Sequence, residues 1–216
     1  MNLKKGNFGI GTMKYKFVVS GSADIGTCDT DGKNCDVCSS NVLEKSEEVG
    51  REIVRQGGIL ITGATTGAPY AAAKGAKEEG GVSIGISPAA TYAEHVRSYH
   101  LPTDYFDFII YTGFNYSGRN LILTKTADAV IISCGGFGTL NEFTIALEDQ
   151  KPIGVLTETG GATAEIERLL KNIKDPHKHG SGKVVFSSDP KELVSKLNGL
   201  IEKEFESPKK PGYVGE

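Results

Sequence analysis

Seven short runs rich in β-branched residues, interleaved with stretches of helical spacing, constrain this 216-residue chain more than any other feature. The runs are Lys16–Ser20, Ile59–Thr62, Val82–Ile86, Phe108–Tyr111, Ala129–Ser133, Pro152–Leu156 and Lys183–Phe186. They are close to continuously apolar, the pattern of strands buried on both faces. Stretches 40–56, 68–79, 117–127, 139–149, 162–173 and 190–204 read as helices. In the first, Val42, Val49 and Ile53 recur at helical spacing and Gly57-Gly58 supply a stop; the second is alanine-rich and ends at Gly80-Gly81. Alternation of this kind requires crossover connections, which are right-handed. It predicts an α/β, doubly wound, Rossmann-like fold with a mostly parallel sheet of about seven strands and helices on both faces. No linker divides the chain. We expect a flexible extension over 1–14, one domain over 15–206 and a flexible tail over 207–216.

Composition removes several classes. A net charge of −3 gives no support for a nucleic-acid or membrane-surface partner. The longest apolar runs, such as Ala129–Ile132, fall far short of the about 18 residues a membrane span needs. The opening residues Met1 to Gly6 contain no apolar stretch of the secretory kind, so the expected location is the cytoplasm.

Glycine is in excess: 28 of 216 residues, against a background of roughly 7%. Ligands of an open parallel sheet bind beyond the carboxyl ends of its strands, and three glycine-bearing loops fall there. The first strand leads into Ser20-Gly21-Ser22-Ala23 and the second into Thr62-Gly63-Ala64-Thr65-Thr66-Gly67. The fifth leads into Ser133-Cys134-Gly135-Gly136-Phe137-Gly138-Thr139. The second and fifth loops open directly into helices. Glycine lets backbone amides approach an anion, and a helix N-terminus adds unpaired N–H groups and partial positive charge. Two such loops on neighbouring strands would cradle a phosphate, with Gly63, Thr65, Thr66, Gly67, Gly135, Gly136, Gly138 and Thr139 as its lining, beside Gly21 and Ser22. Neither loop has the Gly-Lys-Ser/Thr of a Walker motif, and the first lacks Gly-x-Gly-x-x-Gly, which disfavours a dinucleotide.

The run Gly135-Gly136-Phe137-Gly138-Thr139-Leu140-Asn141-Glu142 resembles the signature of the LOG (LONELY GUY) family, within the SLOG superfamily of Rossmann-like nucleotide-binding proteins. The resemblance covers roughly residues 15–160 and includes Gly80-Gly81-Val82-Ser83-Ile84-Gly85-Ile86-Ser87-Pro88. It implies a nucleoside 5′-monophosphate phosphoribohydrolase. Such an enzyme hydrolyses the N-glycosidic bond of AMP or N6-modified AMP to free base and ribose 5-phosphate. It implies Arg119 and Glu142 as the catalytic pair, a nucleoside monophosphate as ligand, no resident cofactor, no metal, and a homodimer or larger assembly. Three departures stand out: Cys134 where the family has Pro, Asn120 where Lys often follows the Arg, and a second loop of a different glycine pattern. They keep open an alternative, a non-catalytic nucleotide- or molybdenum-cofactor-binding carrier or sensor of the same superfamily.

In the hydrolytic reading Glu142 stabilises an oxocarbenium-like ribose and Arg119 pins a polar part of the substrate. Simpler readings compete. Thr139-x-x-Glu142 also has the form of a helix capping box. Ser117 could be an N-cap, leaving Arg119 on the surface of a first turn. Tyr111, Phe114 and Tyr116 could wall a base or belong to the core. His95 and His100 have no ligand spacing, and His177 and His179 read as solvated. Cys28, Cys35 and Cys38 offer three thiols where tetrahedral zinc wants four ligands, so they read as free thiols, with a metal site as the alternative. A disulfide is not expected, and Cys134 reads as a small buried residue.

Overall fold

The computed structural model describes residues 14–24, 38–173 and 183–206. The expected extension, the tail, Cys28, Cys35 and the loop with His177 and His179 lie largely or wholly outside them. Seven strands are present: β1 (Lys16–Gly21), β2 (Ile59–Thr62), β3 (Ser83–Ser87), β4 (Phe108–Tyr111), β5 (Ala129–Ser133), β6 (Ile153–Leu156) and β7 (Val184–Ser187). Among the described residues the helices are α1 (Val42–Arg55), α2 (Gly67–Glu78), α3 (Tyr92–Arg97), α4 (Asn115–Thr126), α5 (Phe137–Glu148), α6 (Ala162–Asn172) and α7 (Pro190–Glu206).

The strands form one sheet in the order β4-β3-β2-β1-β5-β6-β7. Every neighbouring pair is parallel. The chain winds outward from β1 to β4, returns to place β5 on the other side of β1, and winds outward again. This is a doubly wound α/β fold whose direction reverses between β1 and β5. One expectation fails here. The second and fifth strands are not neighbours, because β1 lies between them. Their loops therefore meet across the end of β1.

Alternation along β1 builds both cores. Phe17 and Val19 join Val49, Ile53, Leu60, Leu193 and Leu197 on the side of α1, α2 and α7. Val18 faces the opposite side with Ile61, Leu123, Val130, Phe143 and Ile166, under α4, α5 and α6. Burial on both faces accounts for the unbroken apolar runs of the central strands, and all five residues of β5 are buried, whereas the edge strand β4 leaves Phe108 and Ile110 exposed.

The glycine stops of α1 and α2 act as expected. Gly57 and Gly80 take φ values of +82° and +71°. The next amides, of Gly58 and Gly81, donate back to the carbonyls of Ile53 and Ala76 at 2.8 and 2.9 Å. The sequence reading missed α3. Its N-cap Thr91 accepts a hydrogen bond from the Glu94 amide at 3.2 Å, so a Thr-x-x-Glu cap is present here. Among the described residues no helix is long and apolar enough to cross a membrane.

Candidate functional site

A cleft of about 210 Å³ opens at the carboxyl end of β1, beside the strand-order reversal. Val19 to Ala23 form its floor. Gly63, Thr65 and Pro69 come from the β2–α2 side. Tyr116, Arg119, Asn120 and Leu123 come from α4, and Gly136, Gly138, Thr139 and Glu142 from the start of α5. The fold therefore gathers Gly21, Ser22, Gly63, Thr65, Arg119, Gly136, Gly138, Thr139 and Glu142 around one space. Thr66, Gly67 and Gly135 are not part of that lining.

The two helix entrances differ. At α5, Gly136 is the N-cap and no side chain caps the helix. The first-turn amides of a helix have no intrahelical partner. A Cβ built on Gly136 or Gly138 would meet nothing within 4 Å, so a ligand can approach that backbone. The preceding Cys134 and Gly135 hold φ values of +57° and +94°. A Cβ on Gly135 would lie 2.0 Å from Thr139 Oγ1, which makes glycine necessary there.

At α2 two of the donors are engaged within the protein. The Thr66 hydroxyl donates to the Ala23 carbonyl at 2.7 Å, and the Ala68 amide donates to the Ser22 carbonyl at 2.9 Å. Pro69 has no N–H to offer. Gly67, at φ +71°, would carry a Cβ only 2.1 Å from the Ser22 carbonyl oxygen. Gly63 makes room for a guanidinium: its Cβ would fall 2.1 Å from Arg119 Nη1. Of this loop's hydroxyls, Thr65 lines the cleft.

Glu142 sits at the base of the cleft, 6% exposed. Arg119 Nη1 donates to its Oε1 at 3.2 Å, and the Ser20 hydroxyl donates to its Oε2. The hydrogen-bond pattern turns the Asn120 amide so that its nitrogen donates to Glu142 Oε1 and to the Tyr116 carbonyl, both at 2.9 Å. Burial pushes the Glu142 carboxyl above the usual carboxylate range, against the opposing pull of Arg119 and Ser20. Burial likewise lowers the Arg119 guanidinium, with Glu142 opposing. Arg119 is 5% exposed, and its Nε has no hydrogen-bond partner among the described residues. Its guanidinium carbon lies 5.8 Å from the centre of the Tyr116 ring.

Both simpler readings of this pair fail. Because α5 begins at Phe137, Thr139 lies inside the helix and Glu142 points into the cleft, so neither forms a cap. The N-cap of α4 is Phe114, which puts Arg119 in the second turn and buries it. Tyr116 and Phe114 are exposed and do not belong to the core. His95 is a satisfied buried residue: Nδ1 pairs with Ser87 Oγ at 2.8 Å and Nε2 with the Pro102 carbonyl at 2.9 Å. Ser20 was not singled out from sequence. Its only signal is a polar residue ending an apolar strand.

The cysteine reading is corrected as well. Cys38 and Cys134 form a disulfide, with Cα atoms 5.6 Å apart across 96 residues of sequence. Neither is a free thiol, and Cys38 is not available to a metal. The bond ties the segment entering α1 to the residue before the glycine loop. Cys38 also bridges Gly160, and the Cys134 amide donates to Thr159 Oγ1 at 3.0 Å. The β6–α6 turn thus holds both ends.

A model of the SLOG cluster4 family matches residues 24–194. The chain belongs to that family. As a SLOG protein it carries the Gly135–Glu142 signature on the loop that the fold leaves open. An uncharacterized protein of Archaeoglobus fulgidus is 34% identical over 119 residues, which span 55% of this chain and 73% of the relative. The molybdenum cofactor binding protein of the phototrophic bacterium Rippkaea orientalis superposes with a TM-score of 0.68 at 27% identity, over 88% of this chain and 99% of that one. The Moco carrier protein of Chlamydomonas reinhardtii gives 0.65 at 27% identity over the same shares.

Proposed function

We propose that this SLOG protein is a binding protein, a carrier or sensor that holds a phosphorylated nucleotide-like or molybdenum-cofactor-like ligand without cleaving it. One contrast carries the reading. No side chain caps α5 and a Cβ on Gly136 or Gly138 would meet nothing, whereas the Glu142 carboxylate is buried and already accepts from Ser20, Arg119 and Asn120. An anion can be seated without disturbing anything. The Glu142 charge is already countered by Arg119 and held by two further donors, which weakens its pull on a developing cation. The molybdenum cofactor binding protein and the Moco carrier protein that superpose at 27% identity support the same reading. A cytoplasmic location, a homo-oligomer and the absence of a nucleic-acid partner belong to it.

Hydrolysis of AMP-like nucleotides is the second reading. It is favoured by one observation: Arg119 and Glu142 line the same cleft as the open loop. In that case the loop amides would hold the phosphate and Glu142 would face the developing positive charge on the ribose. Incubation with AMP and N6-modified AMP, followed by assay of free base, separates the two. Binding without release is expected. Steady release that Glu142→Ala abolishes would replace the carrier reading with the hydrolase.

A further inference from the structure

The loop that opens α5 is fastened at its first residue. Cys134 takes φ +57° and Gly135 φ +94°, and these two left-handed residues turn the chain from β5 into the N-cap Gly136. Glycine adopts that conformation freely, whereas the Cβ of Cys134 opposes it. Three bonds hold Cys134 there. Its sulfur is joined to Cys38, its amide donates to Thr159 Oγ1 at 3.0 Å, and the carbonyl of the next residue, Gly135, accepts from the Ala162 amide at 2.7 Å. Cys38 is a fixed anchor, because it bridges Gly160 and the following Ser39 amide donates to the Thr159 carbonyl at 2.9 Å. Of the three bonds only the disulfide can be opened and closed by electron transfer.

Its surroundings favour opening. Cys38, Val42, Ala68 and Cys134 form a small cluster of their own, and neither large core contains a cysteine. Cleavage therefore leaves both cores packed. Cys134 is fully enclosed and Cys38 keeps a slight exposure, so an attacking thiolate meets Cys38 first and Cys134 is the leaving group. A Cβ on Gly161 would lie 2.9 Å from Cys134 Sγ. Gly161 is the N-cap of α6, and no side chain caps that helix. The partial positive charge of a helix N-terminus stabilises a departing thiolate beside it. In a cytoplasm, moreover, the disulfides that form are mostly transient or redox-sensing.

We propose, on the binding reading above, that the Cys38–Cys134 disulfide is a redox latch on the ligand loop. Oxidised, it keeps Cys134 left-handed and the α5 amides set for an anion. Reduced by a dithiol, it frees the loop and lowers the affinity of the cleft. One thiolate of the dithiol attacks Cys38 Sγ, the bond to Cys134 breaks, and Cys134 Sγ leaves as a thiolate and takes up a proton. The second thiol of the reductant then attacks the mixed disulfide and releases Cys38 as a thiol. Two electrons and two protons pass to the protein, and the reductant departs as its own disulfide.

Hydrogen exchange and calorimetric titration with AMP test this on the full chain, with and without a dithiol and well below the thermal midpoint. Cys28→Ser combined with Cys35→Ser leaves the bonded pair as the only cysteines, so no other pairing contributes. Reduction is expected to speed amide exchange over residues 134–140 about tenfold and to weaken AMP by a similar factor, the population scale of one left-handed residue that carries a Cβ. Exchange at the contact between α1 and α2 should not change. Cys38→Ala should match the reduced protein and ignore the reductant. Adding Cys134→Gly to it should recover part of the affinity, since glycine accepts a positive φ without the bond. The proposal is overturned if reduction leaves exchange over 134–140 unchanged, if α1 and α2 loosen equally, if AMP binds both states alike, or if Cys134→Gly recovers nothing. A protein that binds AMP in neither state sinks the binding reading, and the exchange rates alone then decide the latch.

Discussion

At the seam between α1 and α2, a Cβ on Gly50 would lie 2.0 Å from the Ala72 carbonyl oxygen, and one on Gly75 would lie 1.9 Å from that of Glu47. At the loop between β5 and α5, a Cβ on Gly136 or Gly138 would touch nothing. The seam uses glycine to bring two backbones into contact, and it closes the contact with ion pairs from Arg51 to Glu78, Arg55 to Glu79 and Lys74 to Glu47. The loop uses the same residue to keep backbone donors uncovered. Glycine count therefore reports neither packing nor function until the neighbours of each position are known. The Cys38–Cys134 disulfide joins the two regions, since it links the entrance of α1 to the start of the loop.

The largest effect should come from the charge beneath the open loop. Arg119→Met leaves the buried Glu142 carboxylate without its cation. We expect a loss of about 3–5 kcal/mol of stability by chemical denaturation, mostly recovered when Glu142→Gln is added. The pH dependence has a definite sign. Burial raises the folded-state pKa of Glu142 above its unfolded value. The penalty for holding it ionised is therefore absent below the unfolded value and grows as pH rises through the folded one. Removing Arg119 deepens that penalty, so the variant's midpoint should recover as pH is lowered from about 8 to about 5. A midpoint flat in pH would show that Glu142 is not the charged group this region depends on.

Breaking the link between the two regions comes next. Cys38→Ala combined with Cys134→Ala should reduce stability by about 2–4 kcal/mol, because the closed loop is long. A reductant should lower the wild-type thermal midpoint toward that of the double variant and leave the variant unmoved. If reductant moves both alike, the bond does not hold the regions together.

The glycine contrast itself is the finest test. Gly75→Ala should destabilise by about 1–3 kcal/mol, because the methyl meets backbone that cannot yield. Gly138→Ala should change stability by less than about 0.5 kcal/mol, since it lies in open space in a helix. It should nonetheless weaken AMP about tenfold by shielding an amide from the phosphate, which is equivalent to about 1.4 kcal/mol. Equal thermal shifts for the two variants would erase the distinction between closed and open glycines.

Much of the fold was legible. The seven apolar runs were placed within a residue or so, because central strands buried on both faces leave an unbroken apolar signature and the edge strand β4 is apolar even where Phe108 and Ile110 are exposed. Gly57 and Gly80 announced helix ends, because few other residues accept their positive φ. The six-residue α3 was not legible, since it offers too few turns for a periodic pattern, although Thr91 and Glu94 marked its cap. At the site, the Gly135–Glu142 signature located both the open loop and its carboxylate. The partners of that carboxylate could not be read, because Ser20 lies 122 residues away in sequence and reaches Glu142 only through β1.

Local residues by themselves determined the α/β alternation, the helix stops and the glycine loop that opens α5, because each depends on backbone freedom and on spacing within one segment. Tertiary structure decided which loops meet at the end of β1, that one of two similar glycine loops donates to the Ser22 and Ala23 carbonyls, and that Cys38 finds Cys134. Those outcomes are contacts between segments far apart in the chain. Nothing in the spacing of residues within a segment records the neighbour it will face.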